Sequence, residues 1–299
     1  MRPTLDKNTF LGLLAIIFWS ASFALARSIS EQLGVFIGGA SVCLIGGILA
    51  LAFIFQKRQT SLLLKVPISY IVICGGLFVV YIASMYLSVQ SCLNRTQLLE
   101  VALINYLWPS LTVLFAVIIF RTRVKIWMIL GICLALTGAV LAMTQGANFS
   151  WHHFLQNAAK NPIAYLYAFG GALTWALYSN LVKKWEEQNS VLSISLFMLM
   201  SAVILSILAF FFPFKAHWTL HGMGEVLLLG ITGTLGYIFW DIGMKKGNAI
   251  FIASCAYFIP ILSTLISCLY LGIEAGWTIW IGSFFVMGGA IVCRISTQA

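Results

Sequence analysis

The sequence predicts an all-α integral membrane protein with ten transmembrane helices, arranged as two inverted five-helix repeats around a central cavity. Composition, the spacing of apolar segments and an internal repeat predict it. Of 299 residues, 61% are hydrophobic and 8% are charged, whereas soluble domains are about 25% charged. This composition excludes an ordinary soluble domain, and it excludes a disordered chain because disorder requires low hydrophobicity.

Ten apolar segments, separated by short loops, follow one another along the chain. A spanning helix needs about 20 apolar residues, and each segment is close to that length. The first segment resembles a signal peptide, but its length and its later copy argue against cleavage. The longest loop, 145–161, is expected to include a short interfacial segment. The segments are 9–26, 34–55, 67–89, 98–120, 126–144, 162–182, 190–213, 224–243, 249–271 and 275–293.

The basic residues alternate between the two sides of these segments. Thirteen of the 17 Lys and Arg residues fall on the side that carries both termini. Because cytoplasmic loops are enriched in Lys and Arg, both termini are predicted to be cytoplasmic. The net charge of +9 is therefore attributed to orientation in the bilayer, and no nucleic-acid partner is expected.

The second half of the chain repeats the first. Asn-Tyr-Leu-Trp-Pro at 105–109 aligns with Ala-Tyr-Phe-Ile-Pro at 256–260, and further pairs match at a slightly larger offset. Five helices is an odd number, so the second copy enters the membrane from the opposite side, which is typical of transporters. The predicted repeats are 1–145 and 146–299. The further pairs are Trp19 with Trp175 and Tyr81 with Tyr237.

Pro109 and Pro260 lie near the middle of matched segments. Each removes a backbone donor and clashes with the carbonyl four residues earlier. Broken helices at one depth free carbonyl groups, which is tolerated against protein or a water-filled cavity. We expect both prolines to act as hinges beside a cavity, with a simple packing kink as the alternative.

Polar and aromatic side chains around these breaks are candidates for substrate binding. A ring-lined pocket suits an aromatic ligand and binds an ammonium group by cation–π attraction, while Asn105 is expected to face a substrate carboxylate. Plain helix packing is the alternative for each ring. The candidates are Tyr81, Asn105, Tyr106, Trp108, Trp175, Tyr178, Tyr237 and Tyr257.

Ionisable residues inside the apolar segments are few. Glu100 and Asp241 are candidates for ion coupling, although capping or ion pairing is the favoured interpretation of both. The seven cysteines are scattered, the histidines lie in loops, and nucleotide-binding and hydrolase motifs do not occur. We therefore expect no catalytic residue, metal or cofactor.

Several stretches resemble the aromatic amino-acid exporter family of the drug/metabolite transporter superfamily, whose repeats are EamA-like. They are 18–20, 39–40, 100–112, 172–178, 236–248 and 257–263. The resemblance implies ten helices around a substrate cavity in the bacterial inner membrane, with Tyr106, Trp108 and Trp175 lining it. Tyr257 follows from the repeat. Asp241 departs from the pattern, which has an uncharged polar residue there.

The resemblance implies a secondary exporter of Phe, Tyr and Trp, tolerant of other amino acids and working by alternating access. A broad drug or metabolite exporter is the alternative within transport. A membrane-embedded enzyme or a sensor is the alternative from another class, but the sequence carries neither embedded nucleophiles nor an output domain. The expected partners are small amino-acid substrates and the lipid bilayer, with no obligate protein partner.

Overall fold

The structure, a computed structural model, describes residues 6–121, 125–144, 151–271 and 277–296. Within those ranges the regular secondary structure is helical, so the predicted all-α class is confirmed. The α-helices are α1 (Lys7–Leu33), α2 (Val35–Gln56), α3 (Ile68–Tyr70), α4 (Gly76–Gln90), α5 (Arg95–Asn105), α6 (Trp108–Phe120), α7 (Trp127–Met143), α8 (Trp151–Lys160), α9 (Pro162–Leu181), α10 (Ser190–Phe211), α11 (Leu220–Lys246), α12 (Ala249–Cys255), α13 (Phe258–Leu271) and α14 (Trp277–Ser296).

Each predicted apolar segment coincides with one helix or with consecutive helices. Among the described residues, five stretches are long and apolar enough to cross a membrane: Val35–Gln56, Ile68–Gln90, Thr96–Phe120, Ser190–Phe211 and Leu220–Lys246. The first helix is a sixth if its two parts, which are bent by 47°, form one span. The chain is thus a multi-pass membrane protein, while the count of ten crossings stays a prediction.

Two apolar segments are broken at the predicted places. Two residues separate the end of α5 from the start of α6, and two residues separate the end of α12 from the start of α13. Pro109 lies in the first turn of α6, where its missing N–H costs no helical hydrogen bond. At each break, a backbone hydrogen bond joins residues three apart in the sequence. Leu107 N donates to Ile104 O at 3.1 Å, and Ile259 N donates to Ala256 O at 3.0 Å. The hinge role of the prolines stays a prediction.

Helices from the two halves of the chain pack against each other in matched pairs. α1 packs on α11 and α4 packs on α9, while α2 packs on α10 and α7 packs on α14. If α1 corresponds to α9 and α4 to α11, the first two pairs are equivalent, as in a two-fold arrangement. The packing therefore places side chains of both halves in one buried core.

The long loop contains the helix α8, and the interfacial position of this segment stays a prediction. The predicted boundary between the repeats, 145/146, lies outside the described residues.

Candidate functional site

The largest buried cluster contains a group of aromatic rings centred on Trp175 of α9. Its ring centroid lies 4.6 Å from that of Tyr81, 5.2 Å from Tyr178, 5.6 Å from Tyr237 and 5.7 Å from Trp19. Offset and edge-on arrangements at such separations are the favourable geometries for aromatic pairs. Four helices thus hold these rings around one indole.

Three more tryptophan contacts extend the group. The ring of Trp108 on α6 stands edge-on to Trp240 of α11, with centroids 5.2 Å apart. Trp19 of α1 lies 5.3 Å from Trp240 and 6.5 Å from Trp108. We call this set the aromatic centre: Trp19, Phe78, Tyr81, Trp108, Trp175, Tyr178, Tyr237 and Trp240. Both halves of the chain contribute to it.

The rings of the aromatic centre contact one another directly. Trp175 and Trp240 are 1% and 0% exposed, so a ligand reaches them only when the helices that carry them separate. Two cavities among the described residues lie elsewhere. One is bordered by Lys183 and Lys245, and the other by Val35 and Phe214. The structure therefore has the conformation of a closed site.

The other predicted binding residues lie around this centre. Tyr106 is buried in the same cluster, whereas Tyr257 packs in a smaller one with Ala135 and Ala139. The hydroxyl groups of Tyr257 and Ser110 are hydrogen-bonded to each other. This bond joins the first turn of α6 to the break between α12 and α13, so it links the two interrupted segments rather than lining the aromatic centre.

Several buried polar atoms on these helices lack a hydrogen-bond partner, and they include Nε1 of Trp19 and Oδ1 of Asn105. Buried polar groups are normally hydrogen-bonded, so unpaired ones mark places where a ligand can bind. The unpaired atom of Asn105 is an acceptor, which suits an ammonium group better than the carboxylate that the sequence analysis expected.

Asp241 forms a buried ion pair at one end of the aromatic centre. Its Oδ2 lies 2.6 Å from Nζ of Lys245, one helical turn along α11, and the side chains are 0% and 1% exposed. The hydroxyl of Tyr178 donates to Oδ1 of Asp241 at 2.8 Å. Lys245 donates to the hydroxyl of Tyr70 at 3.1 Å and to the carbonyl of Gln188 at 3.2 Å. We call these residues the Asp241 network.

Glu100 is buried in a second network, which surrounds the start of α5. Nδ2 of Asn157 lies 3.2 Å from both carboxylate oxygens of Glu100, and the hydroxyl of Tyr165 donates to one of them. Nearby, Asn161 donates to the side chain of Gln97 at 3.1 Å. These partners of Glu100, Asn157 and Tyr165, are neutral. We call these residues the Glu100 network.

Several contributors to these sites were not among the candidates from the sequence, including Trp19, Phe78, Trp240 and Lys245. Trp19 entered only as a member of the repeat, although its match with Trp175 was a usable signal. Trp240 and Phe78 gave no comparable signal, because apolar rings are common throughout the chain. The sequence favoured capping or ion pairing for Asp241, and the structure shows its ion pair with Lys245, four residues away on the same helix face.

The sequence model of the EamA-like transporter family matches residues 7–144 and 162–295. The chain is 32% identical over 297 residues to the aromatic amino acid exporter YddG of Salmonella typhimurium (strain 14028s / SGSC 2262), and the alignment covers 99% of each chain. It is 30% identical over 298 residues to the aromatic amino acid exporter YddG of Escherichia coli (strain K12), again with 99% of each chain covered.

A solved crystal structure has the same fold, with a TM-score of 0.86 over 98% of each chain at 24% identity. The family match occurs twice, and its two stretches include nearly all the described helices. The chain belongs to the EamA-like transporter family.

Proposed function

We propose that this protein is a secondary transporter that exports the aromatic amino acids Phe, Tyr and Trp across a bacterial inner membrane. The observation that carries the proposal is the aromatic centre, where rings from both halves surround Trp175. A substrate ring replaces the contacts that these rings now make with one another. The two relatives described above are aromatic amino acid exporters, which supports the same substrate class.

Alternating access follows from the position of the aromatic centre. Its rings come from α1, α4 and α6 on one side and from α9 and α11 on the other, so rocking one five-helix half against the other separates them. Pro109 and Pro260 lie beside the breaks and are placed near the pivots. The Tyr257–Ser110 hydrogen bond joins those breaks in the closed form. Ten crossings and cytoplasmic termini complete the proposed topology, which a periplasm-dependent reporter fused after Ala299 tests.

Flux into proteoliposomes tests the substrate class. Radiolabelled Phe should exchange with internal Phe, and each of the twenty amino acids and a lipophilic drug cation should be tried as competitors. Competition by Phe, Tyr and Trp above the others supports the proposal. Equal competition by the drug cation supports the broad exporter instead.

A variant at the aromatic centre tests the site. Removing an aromatic partner costs on the order of 1 kcal/mol, so Trp108→Ala should weaken Phe and Trp transport several-fold. Trp218→Ala is the matched control, because that indole is 49% exposed and lies outside the aromatic centre. Unchanged transport by a normally folded Trp108→Ala protein contradicts the site.

Coupling is tested at the two buried carboxylates. We propose facilitated export or weak proton coupling, because the ion pair of Asp241 and the neutral partners of Glu100 supply no free acid between the halves. Glu100→Gln and Asp241→Asn are each assayed with and without a pH gradient. Loss of a pH-driven flux with intact exchange in either variant identifies a coupling residue and contradicts the uncoupled mechanism.

A further inference from the structure

The Asp241 network is an unusual feature of a helix core. Moving two charges out of water costs several kcal/mol each, and a buried ion pair recovers this only with good geometry and further hydrogen bonds. An apolar pair of similar size is often equally stable. Ionisable side chains inside membrane proteins therefore usually serve a function.

The position of the pair joins it to the aromatic centre. Tyr178 donates to Asp241 at 2.8 Å, and its ring stacks on Trp175 with a centroid separation of 5.2 Å. Trp240, the residue immediately before Asp241, packs against both Trp175 and Trp108. The side chain of Tyr178 therefore connects the charged pair to the other rings of the aromatic centre, which are proposed to hold the aromatic ring of the substrate.

A cavity of about 360 Å³ lies on the other side of the pair. This volume is within the range of small-molecule sites, about 300–1,000 Å³. Lys245 borders the cavity and also contacts Asp241 behind it. Basic and acidic side chains both line it, which suits a ligand carrying both charges. The lining residues are Lys183, Glu186, Glu187, Lys245, Lys246 and Gly247.

We propose that Asp241 and Lys245 bind the charged end of the substrate, with the carboxylate of Asp241 contacting its α-ammonium group and the ammonium of Lys245 contacting its α-carboxylate. The proposal rests on the function proposed above. A free amino acid is a zwitterion at neutral pH, so it carries the same two charges as the pair. The exchange replaces one ion pair by two and leaves the net charge of the site unchanged.

The spatial order of the charged and aromatic groups, from the cavity inward, fits this assignment. Charged residues border the cavity, the ion pair lies next, and the aromatic centre follows, with its member Tyr178 in contact with Asp241. A substrate that enters through the cavity meets Lys245 before it meets Asp241, and its ring then faces Trp175. Asn105 offers a dipole rather than a charge, so the ion pair is the stronger site for both charged groups.

Competition with substrate analogues tests the proposal in the wild-type protein. Phenylethylamine lacks the carboxylate of Phe, and 3-phenylpropionate lacks the ammonium group. Each should compete with radiolabelled Phe at least about tenfold more weakly than unlabelled Phe, which corresponds to one lost charged contact. If both analogues compete as well as Phe, the proposal fails while Phe export stands. If no saturable Phe flux occurs, the proposed function itself fails.

Asp241→Asn/Lys245→Met removes both charges together, so neither partner is left unpaired. We expect its Phe affinity to fall about tenfold and its discrimination against the two analogues to be lost. Lys57→Met is the matched control, because it removes an exposed charge from a residue that does not line the cavity, and it should keep the wild-type discrimination. Wild-type discrimination in the folded double variant overturns the proposal, and the wild-type competition series decides the question if the double variant does not fold.

Discussion

The Asp241 and Glu100 networks are two solutions to one problem, a carboxylate buried in a helix bundle. Both carboxylates accept a hydrogen bond from a tyrosine of α9, Tyr178 for Asp241 and Tyr165 for Glu100. Asp241 also has a cation at 2.6 Å, whereas Glu100 has the amide of Asn157 at 3.2 Å. A tyrosine near each end of α9 therefore contacts a buried carboxylate. One carboxylate is paired with a cation, and the other has neutral partners.

Because of this difference, the two networks should respond differently when the carboxylate is replaced. A carboxylate held by neutral donors loses little when an amide replaces it, because an amide oxygen still accepts those hydrogen bonds. A carboxylate paired with a buried cation leaves that cation uncompensated when it is neutralised. The Glu100 network is thus suited to holding α5, α8 and α9 together, while the Asp241 network can exchange partners with a charged ligand.

The largest contrast is expected between Asp241→Asn and Glu100→Gln. Asp241→Asn should lower the free energy of unfolding by about 3–5 kcal/mol, because Lys245 keeps its charge in a buried position. Glu100→Gln should cost about 1 kcal/mol, since only the charge assistance of its hydrogen bonds is lost. Unfolding of the detergent-solubilised variants in SDS measures both. Equal losses would contradict the distinction between the networks.

A second measurement separates the loss of the Asp241–Lys245 attraction from the cost of leaving Lys245 charged and unpaired. Asp241→Asn/Lys245→Met should recover most of the stability lost in Asp241→Asn, because replacing both partners of a buried pair is often nearly neutral. The same SDS titration gives the difference between the single and double variants. A double variant as unstable as the single one would mean that the pair itself, rather than the uncompensated lysine, stabilises the fold.

The backbone features of the fold were predictable from sequence, and the networks were less so. A proline deletes a donor wherever it stands, so Pro109 and Pro260 mark the breaks without knowledge of the tertiary structure. Spacing alone pairs Asp241 with Lys245 on one helix face. The contacts to Tyr178 and Tyr70 depend on which helices become neighbours, which a single apolar sequence does not specify.

The aromatic centre shows the same division. The repeat matched Trp19 with Trp175, and both rings lie there. It also matched the segments of Trp108 and Tyr257, yet Tyr257 packs with Ala135 and bonds to Ser110 instead. Corresponding positions of a repeat share their backbone surroundings, but their side chains face different neighbours once the two halves differ in sequence.

The two α9 tyrosines give a smaller contrast. Tyr178→Phe and Tyr165→Phe each remove one hydrogen bond to a buried carboxylate, so each should cost about 1.5–3 kcal/mol of unfolding free energy. Their effects on transport should differ, because only Tyr178 also stacks on Trp175. Phe exchange in proteoliposomes should weaken in Tyr178→Phe and stay near wild type in Tyr165→Phe. The reverse order would place the substrate near Glu100.

The smallest effect is expected at Asn157, the amide partner of Glu100. Asn157→Ala removes two contacts of 3.2 Å, which are near the upper limit of normal hydrogen-bond lengths. Asn157 is half-buried, so water can replace its amide beside the carboxylate, and Tyr165 continues to donate. We therefore expect a loss of about 0.5–1.5 kcal/mol in the SDS titration, below that of Tyr165→Phe. A loss equal to that of Asp241→Asn would show that Glu100 depends on one neutral donor as strongly as Asp241 depends on its cation. The two networks would then be electrostatically equivalent, and exchange of partners with a charged ligand would no longer be specific to the Asp241 network.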